Sequence, residues 1–124
     1  MSQFVQSLHE VFERMGRIET RRMFGGHGIY HDGRMFALVA SDTLYLKADA
    51  QTLAEFEKRG LPAFGYEREG RRTEMSYRQA PEEIFEDREE AARWGRMAWE
   101  TALRSGAPKR ARRPAAKKGK GKAR

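Results

Sequence analysis

The dipeptide Asp32-Gly33 constrains the fold more than any other feature of the sequence. It separates a short strand-like segment, residues 28–30, from a predicted strand over residues 34–40 that contains the longest unbroken apolar run. Both central residues of a tight type I′ turn need positive φ, which Asp and Gly tolerate. The dipeptide therefore predicts an antiparallel β-hairpin whose second strand is buried on both faces.

Periodicity and turn residues predict further elements on both sides of this hairpin. Apolar residues at helical spacing, beginning with Phe4, predict a first helix over residues 3–15, with Gly16 after it. This pattern predicts an α+β fold with an antiparallel sheet of about five to six strands and N-terminal, middle and C-terminal helices. The other predicted elements are strands at 21–24, 44–47, 63–68 and 71–77, a helix capped by Asp49 that runs to about Arg59, and a helix from Arg88 to about Ser105.

The last helix carries two more specific predictions. Asp87 and Glu90 have the spacing of a capping box at its start. Trp94 and Trp99 are five residues apart and therefore point about 140° apart on an α-helix. One of the two tryptophans is expected at the edge of the core or on the surface.

The positive charge of the chain is concentrated at its C-terminal end. The formal net charge is +7, from 25 Lys and Arg against 18 Asp and Glu. Residues 107–124 hold nine of the basic residues and no acid, which leaves 16 basic against 18 acidic residues in 1–106. Because this segment has no large apolar residue, we expect a disordered tail after a folded domain over 1–106. The charges that suit nonspecific contact with nucleic-acid phosphates are Lys109, Arg110, Arg112, Arg113, Lys117, Lys118, Lys120, Lys122 and Arg124.

The composition excludes several functional classes. The chain has no Cys, so disulfides, thiol nucleophiles and thiolate metal sites are impossible. The longest apolar run has six residues, whereas a membrane-spanning helix needs about 20. The N-terminus lacks the basic and apolar regions of a secretion signal, which predicts a cytoplasmic location. No Ser-His-Asp arrangement is indicated, and we expect a non-enzymatic protein without a cofactor.

The segment Gly25-Gly26-His27-Gly28 has two interpretations. A phosphate-binding loop needs a preceding strand and a following helix N-terminus, but here a strand follows. A structural turn with positive φ at Gly26 is therefore favoured over a ligand loop. His27 and His31 would be about 13 Å apart along a strand, which argues against a shared metal ion.

Two charged clusters also have alternative interpretations. Residues 82–90 hold six acids, which a helix N-terminus favours through its macrodipole, although they also suit Mg²⁺, acid–base chemistry or a basic partner. Arg21, Arg22, Arg71 and Arg72 fit solvated strand positions, and they would form a basic patch if their strands were adjacent.

Residues 21–30, RRMFGGHGIY, are followed by DGRMFAL at 32–38 and LYLK at 44–47. Over roughly residues 3–105 this pattern resembles the N-terminal domain of the TfoX/Sxy competence-regulator family. The residues that carry the family motif are Arg22, Met23, Phe24, Gly25, Gly26, Gly28, Gly33, Phe36, Leu46, Lys47, Met75, Tyr77, Pro81 and Trp94.

The resemblance implies an α+β fold and a role in transcription regulation, because named family members promote competence-gene expression with the cyclic-AMP receptor protein. Full-length regulators carry a second, C-terminal domain, and this chain has only the basic tail there, which implies a stand-alone N-terminal domain. The leading hypothesis is a regulatory module that contacts a protein partner in transcription while its tail contacts nucleic acid. The alternatives are a small metabolite binder or enzyme that uses the glycine-rich hairpin, and a nucleoid-associated protein.

Overall fold

The structure, a computed structural model, describes residues 3–23, 25–68 and 70–105, with only the backbone over 66–68 and 71–75. Within these ranges the chain forms six strands, three α-helices and one short 3-10 helix. In chain order they are α1 (Gln3–Val11), β1 (Glu19–Met23), β2 (Gly26–His31), β3 (Arg34–Ala40), β4 (Thr43–Lys47), α2 (Leu53–Lys58), β5 (Ala63–Arg68), β6 (Arg71–Gln79), the 3-10 helix (Glu82–Phe85) and α3 (Arg88–Arg104).

Two tight hairpins form the centre of the sheet. Asp32 and Gly33 have φ angles of 49° and 80°, as a type I′ turn requires, and β2 and β3 pair antiparallel on either side. Ser41 and Asp42 join β3 to β4, also at positive φ, 51° and 56°. A left-handed conformation costs such residues about 1 kcal/mol each. The pairing of β3 with both neighbours outweighs this cost, and the predicted hairpin is confirmed.

The six strands form one antiparallel sheet in the order β1-β2-β3-β4-β6-β5. α2 carries the chain from the end of β4 to the outer edge of the sheet, where β5 runs. The chain then returns as β6, which therefore lies between β5 and β4 and pairs with both. The helices and the antiparallel sheet confirm the predicted α+β class. The strand number lies at the upper end of the predicted range.

α1 ends earlier than its apolar pattern predicted. The pattern extends to Met15, but the α-helix ends at Val11, and the chain continues in turns in which the N–H groups of Met15 and Gly16 both donate to the Phe12 carbonyl. Phe12 and Met15 are nevertheless buried. Apolar spacing indicates which residues face the core. The tight turns after α1 keep Phe12 and Met15 directed toward the core, although the regular helical hydrogen bonding has ended.

Asp49 caps a turn that precedes α2, not the helix itself. Its carboxylate accepts hydrogen bonds from the backbone N–H groups of Gln51 and Thr52, at 3.0 and 3.1 Å. The helix begins at Leu53, three residues later than a cap at Asp49 predicts. The correction has a local cause, because an Asp side chain that bonds two residues ahead stabilises a turn as well as a helix start. Phe56 is fully buried, as the apolar pattern predicted.

α3 begins at the predicted cap but without the full capping box. The Asp87 carboxylate accepts from the N–H groups of Glu89 and Glu90. The Asp87 N–H donates to the Glu83 carbonyl, so the Glu90 side chain does not reciprocate and bonds Arg93 instead. The cap is thus confirmed and its reciprocal half is wrong, because the 3-10 helix already supplies the acceptor.

One tryptophan of α3 lies inside the core and the other lies at its edge, as their spacing predicted. Trp94 is fully buried, whereas Trp99 is half-buried at the edge of the core. The Trp99 indole N–H donates to the His31 carbonyl at 2.8 Å, and the two rings meet edge-on. Trp99 therefore fixes the C-terminal half of α3 to the end of β2.

The helices pack on one face of the sheet and enclose the core. Ile29, Ala37 and Leu46 are in register on β2, β3 and β4 and are buried with side chains of every described helix. A β-bulge opposite Ile29 places Phe36 on this face too, where its ring meets Phe12 at 5.5 Å. Alternation along the strands then directs the intervening side chains to the opposite face.

Candidate functional site

The glycine-rich segment is packed against the backbone of β3. Gly25 has a φ of 80°, and a Cβ there would have nothing within 4 Å. Gly26 does not have positive φ, and a Cβ on it would lie 2.1 Å from the Val39 carbonyl oxygen. The predicted positive φ was therefore assigned to the wrong glycine. Gly26 is required by the close approach of another strand, while Gly25 makes the turn.

Gly28 also lies under side chains of the protein itself. A Cβ on Gly28 would lie 2.8 Å from Met23 Sδ, 3.0 Å from Met35 Sδ and 3.1 Å from Tyr30 Cε1. Gly26, His27 and Gly28 belong to β2, so their backbone groups serve strand pairing. A phosphate cradle needs converging free N–H groups and open space. The structural interpretation of the segment is therefore favoured.

The two histidines of β2 have different surroundings. His31 Nδ1 lies 2.7 Å from the Arg17 carbonyl, and its ring rests edge-on against Trp99. His27 Nε2 is buried without a hydrogen-bond partner. Across the ranges that the structure describes, no three His, Asp or Glu residues are grouped as metal ligands. His31 serves as a joint between the α1–β1 loop and α3.

The arginines of β1 and β6 do not form a joint basic patch. Arg21 and Arg22 lie in β1 at one edge of the sheet, and Arg71 and Arg72 lie in β6. Three strands separate β1 from β6, which places the two pairs at least about 19 Å apart across the sheet, at roughly 4.8 Å per strand. The alternative of a joint patch is wrong, because it required the two strands to be neighbours.

The acidic segment 82–90 is held largely by ion pairs and by the start of α3. Asp87 caps the helix, and the hydrogen bond from Arg93 lowers the pKa of the Glu90 carboxyl. This arrangement agrees with the favoured interpretation, in which acids gather at a helix N-terminus. The ion pairs join Glu83 to Arg59, Glu89 to Arg14 and Glu90 to Arg93.

Trp94 is buried between α2 and two arginines. Its ring meets Phe56 at 5.2 Å, and the guanidinium carbons of Arg59 and Arg93 lie 5.5 and 5.1 Å from its centroid. Arg59 is in turn paired with Glu83. Cation–π contact and packing both stabilise this arrangement. The motif tryptophan is thus a core residue covered by charged side chains.

The sheet face opposite the helices, here called the open face, carries rings and cations. Gly28, Leu38 and Tyr45 are in register across β2, β3 and β4, and Leu38 is buried there without belonging to the core cluster. The open face comprises Met23, Tyr30, Met35, Leu38, Tyr45, Phe64 and Tyr77, together with Arg21 and Lys47.

Two cations of the open face stack on its tyrosines. The Arg21 guanidinium carbon lies 4.4 Å from the centroid of Tyr30, and Lys47 Nζ lies 5.0 Å from that of Tyr77. Burial, with a smaller contribution from Tyr30, raises the pKa of Tyr77 to about 12. The phenol of Tyr77 is therefore neutral at physiological pH. Each cation is held at the surface by an aromatic ring beneath it.

Sequence reasoning did not identify the open face. The alternation of Tyr45 and Lys47 with Leu44 and Leu46 was a usable signal, because it indicates a second face of β4. Nothing in the sequence showed that β6 pairs with β4 and brings Tyr77 beside Lys47. The face could be assembled only once the strand order was known.

Two small cavities lie away from the glycine-rich segment. One of about 190 Å³ is lined by Asp49, Ser76 and Arg78 among others, and one of about 160 Å³ lies beside Phe4 and Gln79. Both are smaller than pockets that typically hold a drug-sized ligand, roughly 300 Å³ or more. Asp49 in the first cavity is already paired with Arg104.

Some of the motif residues pack in the core, and others lie on the open face or in turns and strands. Phe36, Leu46 and Trp94 are buried in the core, and Tyr77 and Lys47 lie on the open face. The others are Arg22 and Met23 in β1, Gly25 and Gly33 in turns, Gly26 and Gly28 in β2, Met75 in β6 and Pro81 before the 3-10 helix. Phe24 and the nine predicted nucleic-acid contacts from Lys109 to Arg124 lie outside the described residues.

Helices on one side of an antiparallel sheet, with a tightly packed glycine hairpin at its edge, define a small two-layer α+β domain. Residues 10–102 match the family model of the TfoX N-terminal domain. The chain belongs to the TfoX N-terminal domain family, as its motif residues indicated. No helix in the described ranges is both long and apolar enough to cross a membrane.

Two curated relatives share this part of the chain. The DNA transformation protein TfoX1 of Aliivibrio fischeri (strain ATCC 700601 / ES114) is 33% identical over 64 residues, which are 52% of this chain and 31% of that protein. Protein Sxy of Escherichia coli (strain K12) is 26% identical over 95 residues, 77% of this chain and 46% of that protein. The chain therefore matches less than half the length of either relative.

Proposed function

We propose that this chain is a non-enzymatic regulatory module that contacts a protein partner in transcription, with its basic tail adding sequence-independent attraction to nucleic acid. The proposal that the chain is non-enzymatic rests on the packing of the glycine-rich segment. Gly26 lies against the Val39 carbonyl and Gly28 lies under Met23 and Met35. A ligand loop at this place would need space that these atoms occupy.

The names of the relatives support a regulatory role. The Aliivibrio fischeri relative is named for DNA transformation, and it shares 33% identity over 64 residues with this chain. We extend to this chain a role in controlling gene expression, exercised through contact with another protein. The helical layer offers ion-paired surfaces such as Glu83 with Arg59, and these suit reversible contact better than catalysis.

The tail is the natural source of attraction to phosphate. Residues 107–124 carry nine positive charges without an acid, whereas residues 1–106 have 16 basic against 18 acidic residues. The tail has no aromatic residue on which bases could stack. Contacts to phosphate alone position a protein without reading sequence. Binding of duplex DNA is therefore expected to be independent of sequence.

Salt titration of duplex binding tests the role of the tail. If about five phosphates are neutralised, log K should fall against log salt with a slope of roughly −4.5, with micromolar or weaker affinity at physiological salt. Replacing Lys117, Lys118, Lys120 and Lys122 with Gln should flatten the slope and weaken all sequences alike. The measurement is fluorescence anisotropy with two unrelated duplexes of equal length.

A matched variant controls for net charge. Four basic residues on the surface of the folded domain, Arg17, Arg22, Lys58 and Arg96, are replaced with Gln in the control. This control loses the same charge, and its slope should stay near that of the wild type. Equal flattening by both variants would show that net charge, and not the tail, sets the affinity.

Affinity capture from the native cell tests the protein contact. We expect one protein to be retained by the full chain both with and without nuclease, and to be retained equally by the variant with four tail lysines replaced. A captured protein that disappears on nuclease treatment would instead indicate that the two are joined only through nucleic acid. That result would favour a nucleoid-associated protein.

A further inference from the structure

We infer that the open face binds single-stranded nucleic acid, with bases on its aromatic rings and phosphates beside Arg21 and Lys47. This goes beyond the contact proposed for the tail, since it uses the folded domain and requires unpaired bases. The two surfaces also lie on different parts of the chain, and they can therefore be tested separately.

The rings of the open face are supported from below and partly accessible. Tyr45 and Phe64 are half-buried rings that a base can contact, whereas the half-buried Tyr30 ring carries the Arg21 guanidinium on its face. Each described helix packs on the other side of the sheet. Tyr45 and Phe64 contact each other at 4.9 Å between centroids, with their planes 56° apart. Leu38 lies on β3, between the strand of Tyr30 and the strand of Tyr45. It is only 8% exposed and packs beneath the neighbouring rings. Rigid rings on a sheet are the arrangement on which single-stranded bases stack.

The charges of the open face favour a polyanion. Arg21 and Lys47 are the cations that define it, and Glu19, opposite Tyr30 in β1, is paired weakly with Arg21 at 4.0 Å. A purely apolar partner would desolvate both cations without supplying a counter-charge, which is unfavourable. A second copy of the same face would bring like charges together. A strand of nucleotides supplies phosphates for the cations and flat rings for the aromatics.

The dimensions of the open face suit a single strand. Its rings extend from Tyr30 on β2 to Phe64 on β5, which is four strand steps or about 19 Å. Several nucleotides fit along this length at roughly 3.4 Å per stacked base. In a duplex the base faces are covered by their neighbours, and only the edges remain accessible. The open face is therefore expected to discriminate against duplex DNA, whereas the tail is not.

The test compares two probes on the full chain by fluorescence anisotropy: a 20-nucleotide oligothymidine and a 20-base-pair duplex. Replacing Tyr45 and Phe64 together with Leu keeps apolar bulk and removes the rings. We expect this variant to bind oligothymidine roughly tenfold more weakly, with duplex affinity unchanged. An abasic strand of the same length has no bases to stack on the rings. Its affinity for the wild type should therefore be no higher than the affinity of the ring variant for oligothymidine.

A charge variant keeps the test valid if the ring variant fails to fold. Arg21→Gln with Lys47→Gln should lower oligothymidine affinity and reduce the salt slope by about 1.4, the value for two phosphates of a single strand. The Arg21 side chain is 62% exposed, which makes this change tolerable for folding. The matched control, Lys58→Gln with Arg96→Gln, removes equal charge from the helical side and should change neither quantity.

Three outcomes would overturn the inference. The ring and charge variants could bind oligothymidine like the wild type while loss of the tail lysines weakens both probes, in which case all nucleic-acid contact belongs to the tail and the proposed function stands. Equal weakening by the charge variant and its control would show a net-charge effect. Loss of a captured protein in the ring variant, with oligothymidine affinity unchanged, would make the open face a protein interface.

Discussion

Substitution of Gly26 separates two physical reasons why a hairpin requires glycine. A Cβ at this position would lie 2.1 Å from the Val39 carbonyl oxygen and 3.3 Å from its carbonyl carbon. Real Cβ atoms essentially never approach within 3.0 Å of such a neighbour. Gly26→Ala therefore requires β2 or β3 to move by about an ångström, because backbone cannot rotate away as a flexible side chain would.

The expected cost is at the upper end of overpacking effects, about 3 kcal/mol. For a domain of this size, 1 kcal/mol corresponds to a change in Tm of roughly 4–8 °C, so Gly26→Ala should lower Tm by about 12–24 °C. Gly26→Val should cost at least as much.

Gly25→Ala is the matched control. Gly25 has positive φ but open space around its missing Cβ, so the substitution carries only the left-handed backbone cost of about 1 kcal/mol. Thermal melts followed by circular dichroism on both variants compare the two effects. If Gly25→Ala lowered Tm as much as Gly26→Ala, close backbone approach would not be the reason for Gly26. A Gly26→Ala variant as stable as the wild type would make a ligand role more attractive.

Two further predictions concern Asp49 and the tail. Desolvation raises the pKa of Asp49, but hydrogen bonds from Arg104 and from the Thr52 and Gln51 N–H groups together hold it below its usual range. This carboxylate therefore contributes stability above the unfolded pKa of about 3.9, and the contribution is lost as pH falls through the lower folded pKa. Asp49→Asn should cost about 1 kcal/mol at pH 7 and almost nothing at about pH 2, measured by denaturant melts; an equal cost at both pH values would contradict this. Deleting residues 107–124 should leave Tm nearly unchanged, and a fall of more than about 5 °C, roughly 1 kcal/mol, would show that the tail packs on the domain.

Local patterns in the sequence predicted the elements that are determined locally. Asp32-Gly33 specifies its turn because few residues tolerate positive φ, and the structure has that turn. The apolar stripe of α1 correctly selected Phe12 and Met15 for the core, although the helix had ended before them. Burial follows from periodicity, whereas the last regular hydrogen bond depends on contacts made by the rest of the chain.

Features that depend on strand order could not be predicted. The position of β6 between β4 and β5 follows from the path of α2, and it brings Lys47 to Tyr77. The intervening strands β2, β3 and β4 separate Arg21 from Arg71. The close approach of Gly26 to Val39 likewise depends on the register of β2 with β3. A sequence shows that a glycine is present but not which neighbour it must accommodate.

The position of α3 affects how the domain is completed during synthesis. A Cβ added at Gly95 of α3 would lie 2.8 Å from Met15 Sδ and 2.9 Å from the Phe12 ring. The backbone of α3 therefore packs directly against these two residues, which follow α1. α3 is also the last described element to leave the ribosome. Until it emerges, Phe36 and its neighbours on the sheet are covered only in part, by Phe12 and by the earlier helices, and the nascent chain presents an apolar surface to chaperones and to other chains. A stop codon before Trp94 would therefore yield a product unable to close its core, even though every strand of the sheet had been made.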